Sequence, residues 1–278
     1  MPDIEATDAI ADDIAPARRT VRRDRWLGVA SFAAMLAVWF AITGSGLWPP
    51  LVQPAFLPSP VTVANTFIKL ANSGYQGHTL AHHFLISLMR FGIAFGICVL
   101  IGVPVGLLMG MHTGVRAVLD PPIETTRPIP KLALLPLFII WFGIGELSKT
   151  IVIIAALFPL ISISAMQAVR AVSIRKIHAA QSLGASRRTI FWRVLLPASL
   201  PGIFTGLRVS VGIGVTMLVG AEMVATSDGI AWMALTAADF VQTDIVLVGV
   251  LIMAALGYSL DLMFRALERR VVHWAGRE

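Results

Sequence analysis

Apolar positions in this chain fall in long runs, separated by short segments that are polar, proline-rich or basic. A helix of about 20 apolar residues spans the hydrocarbon core of a bilayer, so each long run predicts a transmembrane helix. Trp26 to Trp48 is the first. Phe91 to Val115, which holds no Asp, Glu, Lys or Arg, is the second. Thr150 to Val169, Val209 to Ser227 and Ile245 to Phe264 follow, the last two broken only by Glu222 and Asp261. Leu132 to Gly145 is too short to cross alone. Extended back through the proline-broken DPPIETTRPIPK it predicts a further span, third in order, with an irregular start buried in protein. The expected fold is therefore all-α, a polytopic membrane protein of six transmembrane helices. Between the first two spans, prolines make Pro49 to Ser59 non-helical, and Val61 to Leu70 predicts a short interfacial helix. Gly92, Gly96, Gly102, Gly106 and Gly110 set small residues at four-residue spacings that permit close helix packing.

One interruption has a pattern of its own, from Ser173 to Pro201. Ile177, Ala180 and Leu183 share one helical face, with Arg175, Lys176 and Gln181 turned elsewhere. Gly184 stands where a left-handed residue ends a helix, and Ser186 where an N-cap begins the next. The second helix repeats the amphipathic pattern through Ile190, Phe191, Val194 and Leu195, and Pro197 marks its end or a kink. A basic helix–turn–helix of this kind is suited to docking into another protein.

Charge decides the orientation. Residues 1–25 are acidic, then basic, with few large apolar side chains, which predicts a disordered tail. The arginine pairs suit an export signal, but the following run is long and lacks a small-x-small cleavage site, so it is expected to be a retained first helix. With the N-terminus inside, the cytoplasmic segments hold the tail arginines, Arg116, the group from Arg170 to Arg193, and Arg265, Arg269, Arg270 and Arg277. Lys69 and Lys149 alone fall outside. This positive-inside bias puts both termini and the helix–turn–helix in the cytoplasm.

Composition agrees: 56% of residues are hydrophobic and only 14% charged, against about 25% charged in soluble domains. The net charge of +6 belongs to membrane edges, so nucleic acid is not an expected partner. A single cysteine, Cys98, excludes a disulfide framework. No phosphate-binding G-x-x-x-x-G-K-[ST] and no H-E-x-x-H occurs, and no serine lies in a nucleophile-elbow context. The chain is thus not expected to be an enzyme, to bind a nucleotide or to carry a metal. His78, His82 and His83 have a spacing that would offer two metal ligands, but without a nearby carboxylate they read as interfacial histidines.

Ionisable residues inside the spans each need a reason. Glu222 has two readings, steering a solute on the inner face of the bundle or bonding to a neighbouring helix near the outer end. Arg90 and Arg208 either present cations to an anionic solute or pair with carboxylates, and Arg90 is also placed to snorkel to the interface. Asp261 lies one helical turn from Arg265, the economical partner.

With the loop in the cytoplasm, His178 to Gly184 (HAAQSLG) followed by nine residues and VLLP resembles the EAA loop of bacterial ABC importer permeases. Ala179, Ala180, Gly184, Leu196 and Pro197 fall in register with that signature, Val194 replaces its isoleucine, and His178 stands where its glutamate belongs. FLPSP, SLMRF, GVPVGLLMG, RPIPKLALLPLFIIWFGIGELSK, TGLR and AEM are similar to the taurine, sulfonate and nitrate group. AAQSLGAS, FVQTDIVL and LERRVVHW look most like its taurine permease subunits.

The resemblance implies a type I ABC importer permease in the bacterial inner membrane. It implies a permease domain over 26–272 with its coupling loop at 173–201, and a C-terminal tail over 273–278. It implies a likeness of role for His178, Ala179, Ala180, Gly184, Arg187, Leu196 and Pro197, which would be gripped by two ATPase subunits. Those subunits would bind the ATP and Mg. The further partners implied are a second permease copy and an extracytoplasmic solute-binding protein delivering taurine or another sulfonate. Nitrate or bicarbonate is the alternative cargo. A self-sufficient secondary transporter would call for inverted repeats and more intramembrane ionisable residues than the sequence contains.

Overall fold

The computed structural model describes residues 20–44, 48–224 and 226–273. The expected tails therefore lie almost wholly outside the described residues. Among those described, regular structure is helical, and no β-strand forms. That follows from the apolar runs, since a helix satisfies its backbone polar groups within the segment where lipid offers no partner. The chain divides into two compact units, Met1–Val63 and Ala64–Glu278.

In the first unit, α1 (Thr20–Thr43) contains the apolar span Trp26–Thr43. The segment after it folds back: Leu51 N–H donates to Ile42 O at 2.9 Å, and the indoles of Trp48 and Trp39 donate to Ala41 O and Pro58 O. The expected interfacial helix is α2 (Pro60–Ser73), which runs into the second unit.

The second unit is built on α3 (Leu80–Met111), α6 (Glu146–Arg170) and α9 (Leu196–Glu222), with α11 (Thr243–Val271) beside α9. α3 begins well before the expected Phe91, capped by Thr79, whose Oγ1 accepts from His82 N at 3.1 Å. Its first turns carry His83, Ser87 and Arg90, polar residues that do not end the helix because each is bonded and buried in the fold. Glycines set the helix approach. A Cβ at Gly102, Gly106 or Gly110 would press on Ile161, on Ser162 and Ala165, or on Val169, so α3 lies directly on α6 along these positions. Gly92 and Gly96 face nothing within 4 Å. Gly206 and Gly202 likewise meet Ser164 and Ala168, which brings α9 onto α6.

The third crossing is not one helix. α4 (Thr113–Thr126) returns along the bundle, with Ile123 packed on Met109, Ile163 and Met166. A proline-rich turn follows, then a 3-10 turn (Lys131–Leu134), and then the short α5 (Leu135–Phe142), which ends at Gly143 with φ +84°. Eight residues of α5 cover only about 12 Å, so the crossing is assembled from pieces. Five of the described helices are long and apolar enough to span alone, and this composite segment makes the sixth passage. The loop expected between the last two spans also holds a helix, α10 (Ile230–Asp239), with Ile230, Ala231, Met233 and Ala237 buried.

The basic interruption forms α7 (Ile174–Ser182) and α8 (Arg187–Ile190). Gly184 has φ +75° and donates to Gln181 O, and Ala185 N donates to Ala180 O. Ser186 caps α8 through Thr189 N. Of the two expectations at Pro197, an end or a kink, the end does not occur. α8 passes through a π-turn (Phe191–Leu195) into α9, giving one rod from Arg187 to Glu222. The widened turn lies just ahead of Pro197 and absorbs the missing N–H and the bulk of its ring. The same rod stops at Glu222, short of the expected Ser227.

Candidate functional site

Two regions gather the chemistry, at opposite ends of the bundle. At the first, α7 is well formed yet has no buried residue. His178, Ala179, Gly184 and Arg187 are exposed, while Ala180, Leu196 and Pro197 are half-buried. Leu183 is 87% exposed and Trp192 58%. Large apolar side chains at this density on a basic helix pair form a surface suited to a protein partner. Behind it, Ile177, Ile190 and Phe191 line a cleft of about 460 Å³ against Val169.

At the other end, four elements meet on Arg90. Its side chain is 2% exposed. Its Nε and Nη2 donate to both carboxylate oxygens of Glu146 at 2.5 and 2.7 Å. Nη1 donates to Glu222 Oε1 at 3.0 Å, and Nη2 to Asp228 Oδ1 at 2.5 Å. Glu222 is fully buried: Oε1 also accepts from Ser87 Oγ at 2.7 Å and Oε2 from Ala231 N at 3.0 Å. Lys149 Nζ reaches Glu146 at 3.0 Å. Ser87 Oγ in turn accepts from Ile230 N, and His83 Nδ1 from Gly229 N. Desolvation pushes the Asp228 carboxyl up, but the hydrogen bond and charge of Arg90 outweigh it and leave the group below the usual carboxylate range. The network ties the starts of α3 and α6 to the end of α9 and the start of α10.

This placement puts Arg90 and Glu222 in one network. Arg90 does not snorkel, because three carboxylates hold it inside. Glu222 bonds to the neighbouring α3. Both are bonded to protein partners among the described residues. Arg208 is elsewhere, roughly 21 Å along α9 from Glu222 by helical rise. Its Nε donates to Asp261 Oδ1 at 3.0 Å and its Nη1 lies 3.5 Å from Glu268, while Asp261 also takes Arg265 at 2.6 Å.

The residues missed from sequence are Ser87, Glu146, Lys149 and Asp228. Their signal was topological: each stands at the same end of a span as Arg90. The histidines also change. His78 and His82 stack with ring centroids 4.5 Å apart, His83 is buried, and the fold brings Asp228 Oδ2 to 3.6 Å from His82 Nε2, a carboxylate not expected there. Among the described residues no group of three His, Cys, Asp or Glu is arranged to hold a metal.

Residues 102–273 match the family model described as binding-protein-dependent transport system inner membrane component. The chain is 42% identical over 260 residues to the taurine transport system permease protein TauC of Escherichia coli K12, covering 93% of each. It is 35% identical over 255 residues to SsuC of Bacillus subtilis 168, named as an aliphatic sulfonates transport permease protein, covering 91% of this chain and 89% of that one. Among solved structures, the inward-facing MetNI methionine ABC transporter aligns at a TM-score of 0.55 with 20% identity, covering 67% of this chain and 95% of that chain. An amino acid ABC transporter with histidines aligns at 0.52 and 20% identity, covering 76% and 96%. The helix–turn–helix, the bundle that carries it and these matches together place the chain in the family of inner membrane components of binding-protein-dependent transport systems, as a permease subunit with the type I ABC importer fold.

Proposed function

We propose that the chain imports a small sulfonate, taurine foremost, received from an extracytoplasmic solute-binding protein and released to the cytoplasm. Two copies would form the pathway, and two ATPase subunits would grip the segment 173–201 and bind the ATP and Mg. The observation that carries the coupling role is the exposed surface of α7: a regular helix none of whose residues is buried, presenting Ala179 beside His178 and a glycine-closed turn. Small side chains let such a helix sit deep in a groove. The continuous rod from Arg187 to Glu222 supports the same reading, since a push on α8 is delivered along its whole length. The cation distribution supports cytoplasmic termini and a cytoplasmic helix–turn–helix. The sulfonate reading rests on the two permease relatives.

Reconstitution of the chain with its ATPase and binding protein in liposomes tests this. Expected is ATP-dependent accumulation of labelled taurine that requires all components. Uptake by the chain alone would overturn the coupling, and transport of nitrate or bicarbonate without taurine would overturn the substrate.

A further inference from the structure

The RPIPK turn carries two cations at a depth where a charge needs a purpose. Arg127 and Lys131 line a cleft of about 400 Å³ against Ala156 and Pro159 of α6 and Ile213 and Met217 of α9. Pro159 stands roughly 20 Å by helical rise from the Glu146 end of α6 and roughly 16 Å from the Arg170 end. The cleft is therefore near the middle of the bundle's depth. A charge there is expensive in lipid, and irregular backbone at that depth persists only against protein or a water-filled cavity.

The partners of Lys131 differ from those of the other span cations considered above. Arg90 is held by three carboxylates and Arg208 by two. Lys131 Nζ donates only to the backbone carbonyls of Thr126 and Ile129, with no carboxylate in ion-pair range among the described residues. Arg127 is tethered to Glu124 at 3.0 Å, with both side chains about half exposed. Secondary transporters place anionic substrate groups at discontinuous helices near mid-depth, facing half-helix N-termini, and Lys131 adds a cation to such a break.

We propose that Lys131 is the transient ligand of the sulfonate group as the solute passes the middle of the membrane, with Arg127 placed on the same cleft beside it. This rests on the sulfonate reading above. The chemistry favours Lys131 over Arg90. An ammonium can exchange neutral carbonyls for sulfonate oxygens and leave no charge behind unpaired, whereas freeing Arg90 would strand the buried carboxylate of Glu222. The sulfonate in turn offers only acceptors, which suits a group that has three donors and no acceptor.

The test uses the complete transporter in liposomes, with taurine uptake and ATP hydrolysis measured together for wild type, Lys131→Gln and Lys131→Arg. Expected is a fall in taurine moved per ATP hydrolysed of about 10- to 100-fold for K131Q, the effect of losing one charged hydrogen bond. ATPase stimulation by the loaded binding protein should be retained, and K131R should stay within about threefold of wild type. Wild-type transport by K131Q, or equal loss in K131R and K131Q, would overturn the assignment. If the wild-type complex carries another solute, the substrate reading fails separately. The same variants then decide Lys131 on that solute: loss with an anion supports the role, and no loss refutes it.

Discussion

Nη1 of Arg90 lies 3.0 Å from Oε1 of Glu222, and the two side chains are 2% and 0% exposed. The pair joins the first turns of α3 to the last turn of α9, across 132 positions of sequence. Two buried charges are tolerable here because Glu146, Asp228, Ser87 and the Ala231 amide complete their hydrogen bonds. Removing one partner strands the other.

Glu222→Ala should therefore destabilise the protein by about 3–5 kcal/mol, the usual loss when a buried pair is broken from one side. Glu222→Gln should lose less, about 1–3 kcal/mol, since its carbonyl can still serve Arg90 and Ser87 while the Ala231 amide loses its acceptor. Unfolding of the detergent-solubilised chain checks both. A cycle with Arg90→Ala should show strong non-additivity; additive losses would mean that the contact carries no coupling.

Asp228 gives a pH dependence. Its carboxyl is held below the ordinary range by Arg90 in the folded chain. A depressed carboxylate contributes stability that is fully present above its unfolded pKa, about 3.9, and is lost as pH falls through the folded value. The melting temperature should then drop on acidification below about pH 4, and Asp228→Asn should flatten that part of the profile. At neutral pH the same variant should cost about 1–2 kcal/mol, a figure kept low because the side chain is 23% exposed and solvent screens it. An unchanged acid limb in D228N would refute the assignment.

At Gly184 the backbone alone is at stake. Its φ is +75° and a Cβ would meet nothing within 4 Å. Gly184→Asn should be close to neutral, and Gly184→Ala should cost about 1 kcal/mol of local strain. Gly184→Trp should leave the chain inserted and abolish ATP-driven uptake, because the bulk lies on the proposed docking surface. Normal ATP-dependent transport by G184W would remove the coupling role from this loop.

The glycines of α3 separate by partner. Gly106→Ala would drive a methyl into the Ser162 backbone and to 2.7 Å from Ala165 Cβ, and an overpacked contact of this kind costs about 1–3 kcal/mol. Gly96→Ala meets open space and should be neutral or slightly stabilising, since alanine is the better helix former. Thermal unfolding of the two variants in detergent distinguishes them, and equal effects would contradict the packing of α3 on α6.

Much of the fold was legible because its causes are local. Run length and hydropathy located the spans, and the left-handed requirement at Gly184 with the Ser186 cap located the helix–turn–helix. Pro197 left an end or a kink open, and the helix continues because a π-turn over Phe191–Leu195 accommodates the ring. The third span comes in pieces because the proline-rich turn ahead of Lys131 interrupts it and Gly143 ends its last helix.

What the amino-acid order determined by itself is everything carried by neighbours along the chain: six apolar passages, the basic turn, and the polar residues that had to be explained. What tertiary structure alone decided is which of those polar residues meet. Arg90 finds Glu146 across 56 positions and Glu222 across 132, while Arg208 finds Asp261 instead. Those pairings depend on how each helix is rotated and how far it slides against the next. Both are set by contacts such as Gly106 on Ser162 and Gly206 on Ser164, and no periodicity within a single helix encodes them.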